Sequence, residues 1–197
     1  EFTFVTTHNP RSFNTPFSGF NSTFKSIYKY LVSTKLDKHK VIHNLGDEKM
    51  EVTCDSIGEI LFESNCYSYR KYIEEILEID FSSHIEIVSQ NEKFSIIYPT
   101  ISIEPLDQFF EKRDYKHFGK TIIKFFLILL QKYKEVLDSL PLFIVIEDCH
   151  HIDSLSLEFI KLVSQDKRLD GIAIICTLQD PIINFSRQEL LFNRVLD

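Results

Sequence analysis

No segment of this sequence is apolar for long enough to cross a bilayer. The nearest, Ile122 to Leu130, is interrupted by Lys124 and falls far short of the ~20 apolar residues a spanning helix needs. No charged, apolar and small-residue succession at the N-terminus reads as a secretory leader. These absences lead us to expect a soluble, cytoplasmic protein with no membrane among its partners. A basic excess is missing too: the formal net charge is −7, which argues against nucleic acid as the main partner. None of the four cysteines (Cys54, Cys66, Cys149, Cys176) sits in a CxxC pair, so neither a zinc knuckle nor a disulfide framework is expected, and the thiols read as free. Glycine is scarce, at 5, while Phe, Ile, Asn and Lys abound, a bias of genome composition more than of function. No Gly-x-Ser-x-Gly elbow or Cys–His pairing supports a nucleophilic hydrolase. There is no internal repeat and no low-complexity tract.

What is present suffices for a core. At 197 residues and 44% hydrophobic, the chain is one domain of ordinary size or a large piece of a bigger protein. It starts with Glu and enters the strand-like FTFVTT at residues 2 to 7 almost at once, so the expectation is a fragment. The most informative stretch is PLFIVIEDCHHID, residues 141 to 153. Its apolar run, Leu142 to Ile146, is too short for a membrane span and shows no helical stripe, which predicts a strand buried on both faces of a parallel sheet. The run ends in two carboxylates, Glu147 and Asp148, followed by His150, His151 and a capping Asp153. In open α/β sheets ligands sit outside the carboxyl ends of the strands, so an acid pair there can hold a metal ion or orient a water.

Asp153 predicts the start of a helix whose Leu155, Phe159, Leu162 and Val163 share one face. After Gly171 comes IAIIC, residues 172 to 176, a second strand-type run ending at Thr177. Strand, helix and strand make a βαβ unit, with Glu147, Asp148 and Thr177 at one edge of the sheet.

The stretch PLFIVIEDCHHIDSLSLEFI resembles the Walker B segment of the AAA-related STAND nucleoside triphosphatases. It is most similar to the ATPase-like modules that follow the cyclase domains of soluble-type adenylyl cyclases and related bacterial signalling proteins. Their pattern is an apolar strand, an acid pair, His-Trp, an Asp turn and Ser-Leu opening a helix. Glu147 and Asp148 match the acids, His150 the histidine, Asp153 the turn, and Ser156 with Leu157 the helix start; His151 replaces the tryptophan. NTPFSGFNSTFKSIYKYL is similar to the family segment after the phosphate-loop helix: a strand, a loop with Thr-Pro-Phe or Thr-Pro-Tyr, then a helix. Here Asn21 or Ser22 is the expected cap and Phe24, Ile27, Tyr28 and Leu31 the expected buried face.

The resemblance implies an α/β fold: a parallel sheet flanked by helices, part of a P-loop NTPase of AAA-like type. Residues 1–34 are its post-P-loop strand and helix, 35–115 a variable and mostly helical insertion, and 116–197 a helix, the Walker B strand, a helix, a sensor-type strand and a helix over Ser186 to Leu196. Within the insertion, Asp55 to Glu63, Tyr67 to Leu77 and Leu106 to Phe110 have helical spacing, and SHIEIVSQ and KFSIIYP look strand-like. From Tyr115 to Leu140 a long helix is expected, with Phe118, Ile122, Phe125, Phe126, Leu129, Tyr133, Val136 and Leu137 on its apolar face.

By the same resemblance the parent protein binds ATP and Mg²⁺, with Glu147 holding Mg²⁺ through water, Asp148 orienting the attacking water and Thr177 as a polar sensor. Leu178 and Gln179 stand where many relatives carry an arginine. The loop GxxxxGK[ST], whose backbone N–H groups and lysine cradle phosphates, is expected before residue 1. Gly119-Lys120-Thr121 is only a partial imitation, with Asp114 at the position of the first glycine and no strand leading in. The fragment alone is therefore not expected to hydrolyse nucleotide. Its partners are nucleotide, in the parent, and other domains of the same chain. The parent reads as a signalling protein, a class III nucleotide cyclase being one type. Two alternatives stand beside this: a non-catalytic scaffold that keeps the NTPase fold, and a metal-dependent hydrolase using His150 and His151.

Overall fold

The computed structural model describes residues 2–7, 17–34, 37–45, 48–87, 115–138 and 140–177. Expectations for Leu106 to Phe110, for KFSIIYP, for Leu178 and Gln179 and for Ser186 to Leu196 lie outside the described residues. The chain divides into two compact units, residues 1–26 with 130–197 and residues 27–129.

The first unit holds three strands, β1 (Phe2–Thr7), β5 (Leu142–Glu147) and β6 (Ile172–Cys176). They form a parallel sheet in the order β1-β5-β6. The α/β class and the parallel sheet flanked by helices are as the sequence predicted. Register runs straight across: Phe4 pairs with Ile144 and Ile144 with Ile174, then Thr6 with Ile146 and Ile146 with Cys176. Along β5, side chains alternate between the faces. Leu142, Ile144 and Ile146 are buried while Phe143 and Val145 are only half-buried. This corrects the expectation of a strand buried on both faces. On the second face Val5 is 53% and Ile175 48% exposed. On the first, Phe4 packs its ring 5.7 Å from that of Tyr133, in the long helix α4 (Tyr115–Val136).

Helix α5 (Ser154–Gln165) follows β5, and Asp153 is its N-cap, as predicted. Its buried side chains are Leu155, Ser156, Phe159, Ile160 and Val163; Leu162 is half-buried, so the apolar stripe sits slightly round from the expected one. Helix α1 (Asn21–Ser33) buries Phe24, Ile27, Tyr28 and Leu31 as expected. Asn21 is its first residue rather than its cap, because a 3-10 turn over Ser18–Phe20 leads directly into it.

The second unit contains what the sequence reading did not anticipate. Between residues 35 and 115, where mainly helix was expected, β2 (His39–Leu45), β3 (Glu48–Cys54) and β4 (Ile85–Ile87) form an antiparallel sheet in that order. Val52, Cys54, Phe62 and Tyr67 make its core, with Val41 and Ile85 packed against them. The strand reading of SHIEIVSQ holds over Ile85–Ile87. Helices α2 (Ser56–Glu63) and α3 (Arg70–Leu77) fall where the spacing predicted them.

Asp55 caps α2, accepting from the N–H groups of Ile57 and Gly58 at 3.0 Å. Its other oxygen lies 2.6 Å from His84 Nδ1, and His84 Nε2 lies 2.6 Å from the Tyr28 hydroxyl. With the ionised carboxylate accepting from Nδ1–H, Nε2 is left to accept the tyrosine proton, so all three buried groups are satisfied. Burial works to raise the Asp55 carboxyl, yet the His84 and backbone hydrogen bonds outweigh it and hold the group below its ordinary range. Burial, then the charges of Asp55 and Asp80, push the Tyr28 hydroxyl up to about 12.

Gly119, Lys120 and Thr121 lie inside α4, where the Thr121 hydroxyl donates to the His117 carbonyl at 2.8 Å. A helix interior has its N–H groups committed to its own carbonyls and cannot cradle phosphate. Leu137 is buried but Val136 is 43% exposed, against expectation. Ile122, Leu129 and Val136 are heptad-spaced, and such a row drifts about 20° per heptad round a straight helix. By the last turn it has left the buried side.

Candidate functional site: the acid-ended strand tip

Chain geometry at the end of β5 is tightly set. Asp148, directly after the strand, takes a left-handed conformation (φ 53, ψ 45) and opens a 3-10 turn over Cys149–His151. Left-handed backbone is unfavourable for side chains other than Gly, with Asn and Asp the most tolerant. The turn is closed by His151 N–H donating to the Asp148 carbonyl (2.8 Å) and Ile152 N–H to the Cys149 carbonyl (3.1 Å). Ile152 is extended, and Asp153 then starts α5.

Two backbone bonds tie this turn to the tip of β6. Thr177 N–H donates to the Ile146 carbonyl at 2.9 Å, and Cys149 N–H donates to the Thr177 carbonyl at 3.0 Å. Ile146 with Cys176 is the last pair of the ladder, and these two bonds hold Thr177 beside the turn that follows it. On the other side Thr7 pairs with Glu147. The sequence-predicted residues Glu147, Asp148 and Thr177 do come together at one edge of the sheet. Glu147 and Thr177 are exposed and Asp148 is half-buried. The carboxylate of Asp148 does not cap its own turn.

Asp153 does more than cap. One oxygen accepts from the N–H groups of Leu155 (3.1 Å) and Ser156 (2.9 Å). The other accepts from the Ser156 hydroxyl and, across 136 residues of sequence, from the N–H of Phe17 at 3.2 Å. Phe17 is itself left-handed (φ 59) and fully buried, with Phe24 and Phe159 edge-on to its ring. A bulky residue in that conformation is strained, and packing plus the carboxylate hold it there. Phe17 is the phenylalanine of the Thr-Pro-Phe segment, so the two stretches that carry the family resemblance meet at this bond. Burial raises the Asp153 carboxyl despite its four hydrogen bonds.

Comparison of the chain with family models, with curated proteins and with solved structures returns no match.

The donor set at the tip is carboxylate and hydroxyl oxygen. It suits a hard cation that keeps several waters and borrows phosphate oxygens, as Mg²⁺ does, better than an ion needing a full protein cage. Among the described residues no group of three or more His, Cys, Asp and Glu side chains could hold a metal ion. The side chain of His150 lies outside what is described. Among the described residues no helix is long and apolar enough to cross a membrane.

Sequence reasoning missed two features here. One is the Phe17–Asp153 bond, which no local spacing announces. The other is that Cys149 and Cys176 come to neighbouring strand tips; the neighbouring sulfur, with burial, raises the Cys149 thiol, and the same neighbour lowers that of Cys176. All four cysteines are free, as expected.

Proposed function

We propose that this chain is part of an ATP-binding regulatory module of the STAND or AAA-like P-loop class in an intracellular signalling protein, a class III nucleotide cyclase being one type. In this reading Glu147, Asp148 and Thr177 are its share of the nucleotide site. One observation carries it: the acid-ended strand is the middle of three parallel strands, and backbone bonds join its tip to Thr177. Ligands of open parallel sheets sit at such a place. Glu147, being exposed, holds Mg²⁺ through a water molecule; half-buried Asp148, its carboxylate aimed by a constrained backbone, orients the attacking water; the Thr177 hydroxyl senses the terminal phosphate. When bound, Mg²⁺ neutralises charge on the phosphates.

A second observation supports the reading. Parallel sheets are covered on both faces, yet Val5 and Ile175 lie exposed on one face of this one. Crossovers from β1 to β5 and from β5 to β6 run in one direction, so by the right-handed rule their helices fall on the same face. The bare face is served by a crossover running the opposite way, from a strand beyond β6 back to β1. A phosphate-loop strand and helix upstream of residue 1 have that path. They also supply the cradle that residues 119–121, being helical, do not.

The test uses the protein extended upstream of residue 1. It should bind ATP with Mg²⁺; Glu147→Gln and Asp148→Asn should each lower hydrolysis by about 100-fold or more while leaving nucleotide affinity nearly unchanged. An extended protein that binds no nucleotide would reduce this chain to a scaffold with an NTPase-like sheet. Unchanged turnover in both variants would remove the two acids from the mechanism.

A further inference from the structure

Cys149 and Cys176 stand on neighbouring strand tips, one just past the end of β5 and the other at the last residue of β6. Cys149 is fully buried; its Sγ–H donates to the Ile146 carbonyl at 3.1 Å. The same carbonyl accepts the Thr177 N–H at 2.9 Å, so the sulfur lies over the peptide that follows Cys176. Cys176 shares its face of the sheet with Ile146 and Thr6, and is half-buried. Ile146 is the register partner of Cys176, so the carbonyl that accepts the Cys149 thiol belongs to the residue directly beside Cys176.

We propose that Cys149 and Cys176 are a redox pair which a peroxide closes into a disulfide, pinning the turn that carries Asp148 to the tip of β6. This goes beyond the nucleotide reading and does not depend on it. The half-buried partner, the more accessible of the two, reacts first: the Cys176 sulfur attacks hydrogen peroxide, the O–O bond breaks, Cys176 becomes a sulfenic acid and one water leaves. Cys149 then attacks that sulfur, the S–O bond breaks, the disulfide forms and a second water leaves. Two thiols lose two electrons and two protons, and one peroxide becomes two waters. A thiol reductant reverses the change. Cys54 and Cys66 have no such geometry: Cys54 is fully buried in β3, and the fully buried Cys66 donates to the Thr121 carbonyl at 3.1 Å.

The experiment treats the purified 197-residue chain with equimolar hydrogen peroxide, folded and in urea, and follows intact mass and a non-reducing peptide map. The folded chain should lose the mass of two hydrogens and yield one linked peptide pair, Cys149 with Cys176, released by dithiothreitol. Cys176→Ser should abolish the loss, and Cys149→Ser should leave Cys176 as a sulfenic acid that a dimedone probe traps. The wild-type map decides the matter even if a variant fails to fold. Four thiols still free after treatment, stepwise oxidation to sulfinic acid without a cross-link, a link involving Cys54 or Cys66, or equal yield in urea would each overturn the proposal.

Discussion

Asp148 holds a backbone conformation in which an L side chain crowds the following carbonyl, and it does so directly after β5. Strain of that kind persists where the surroundings over-determine it, and it often marks a working site. Asp148→Gly and Asp148→Ala remove the same carboxylate, so the difference between them isolates the backbone. The Gly variant should be more stable than the Ala variant by about 1 kcal/mol, the reverse of their order within a helix. Matched urea melts of the two proteins measure it, and an Ala variant equal to or better than the Gly variant would mean that residue 148 is not left-handed. The acids themselves were legible, because an apolar run that stops at two carboxylates is a local pattern. Their backbone was not, since no short-range signal distinguishes Asp148 from any surfacing aspartate.

At the scale of elements, α2 sits so close to the antiparallel sheet that Gly58 has no room for a side chain. A Cβ there would lie 2.7 Å from the Cβ of Cys54 and 2.7 Å from the carbonyl oxygen of His84. Alanine gains about 1 kcal/mol over glycine in a helix interior, but overpacking costs about 1–3 kcal/mol. Since the oxygen belongs to backbone that Asp55 N–H already holds at 3.1 Å, the clash cannot be relieved by rotating a side chain. Gly58→Ala should therefore lower stability by about 1 kcal/mol or more, read from the denaturation midpoint; an unchanged midpoint would show that α2 stands further from the sheet. The helix was legible from its spacing. The hairpin beside it went unread because HKVIHNL mixes polar and apolar residues without clean alternation, although Met50, Val52 and Cys54 do alternate with polar residues in EKMEVTC and Gly46-Asp47 between the two offered a turn signal.

For the whole molecule, the informative surface is the bare face of the parallel sheet. Val5, 53% exposed, contributes little there, so Val5→Lys should cost the 197-residue chain less than about 1 kcal/mol. In the upstream-extended protein, where we place a helix over that face, the same change buries a charge and should cost more than about 2 kcal/mol. Chemical denaturation of both proteins decides, and equal small losses would mean that no upstream segment covers the sheet. The sequence reading expected burial on both faces because an uninterrupted apolar run carries no period that distinguishes one covered face from two.

The sequence by itself determined the elements whose signals are local. A continuous apolar run made β5 a strand, i, i+4 spacing made α1, α4 and α5 helices, and a carboxylate before an apolar stripe made Asp153 a cap. Tertiary structure alone decided which of these meet. Phe17 reaches Asp153 across 136 residues, Thr177 closes on Ile146, Cys149 and Cys176 come to neighbouring strand tips, and Tyr28, His84 and Asp55 share a hydrogen-bonded chain. Such meetings follow from how strands order and helices pack after the chain has collapsed. The periodicity of a segment records which of its sides seeks cover, but not which distant residue will supply it.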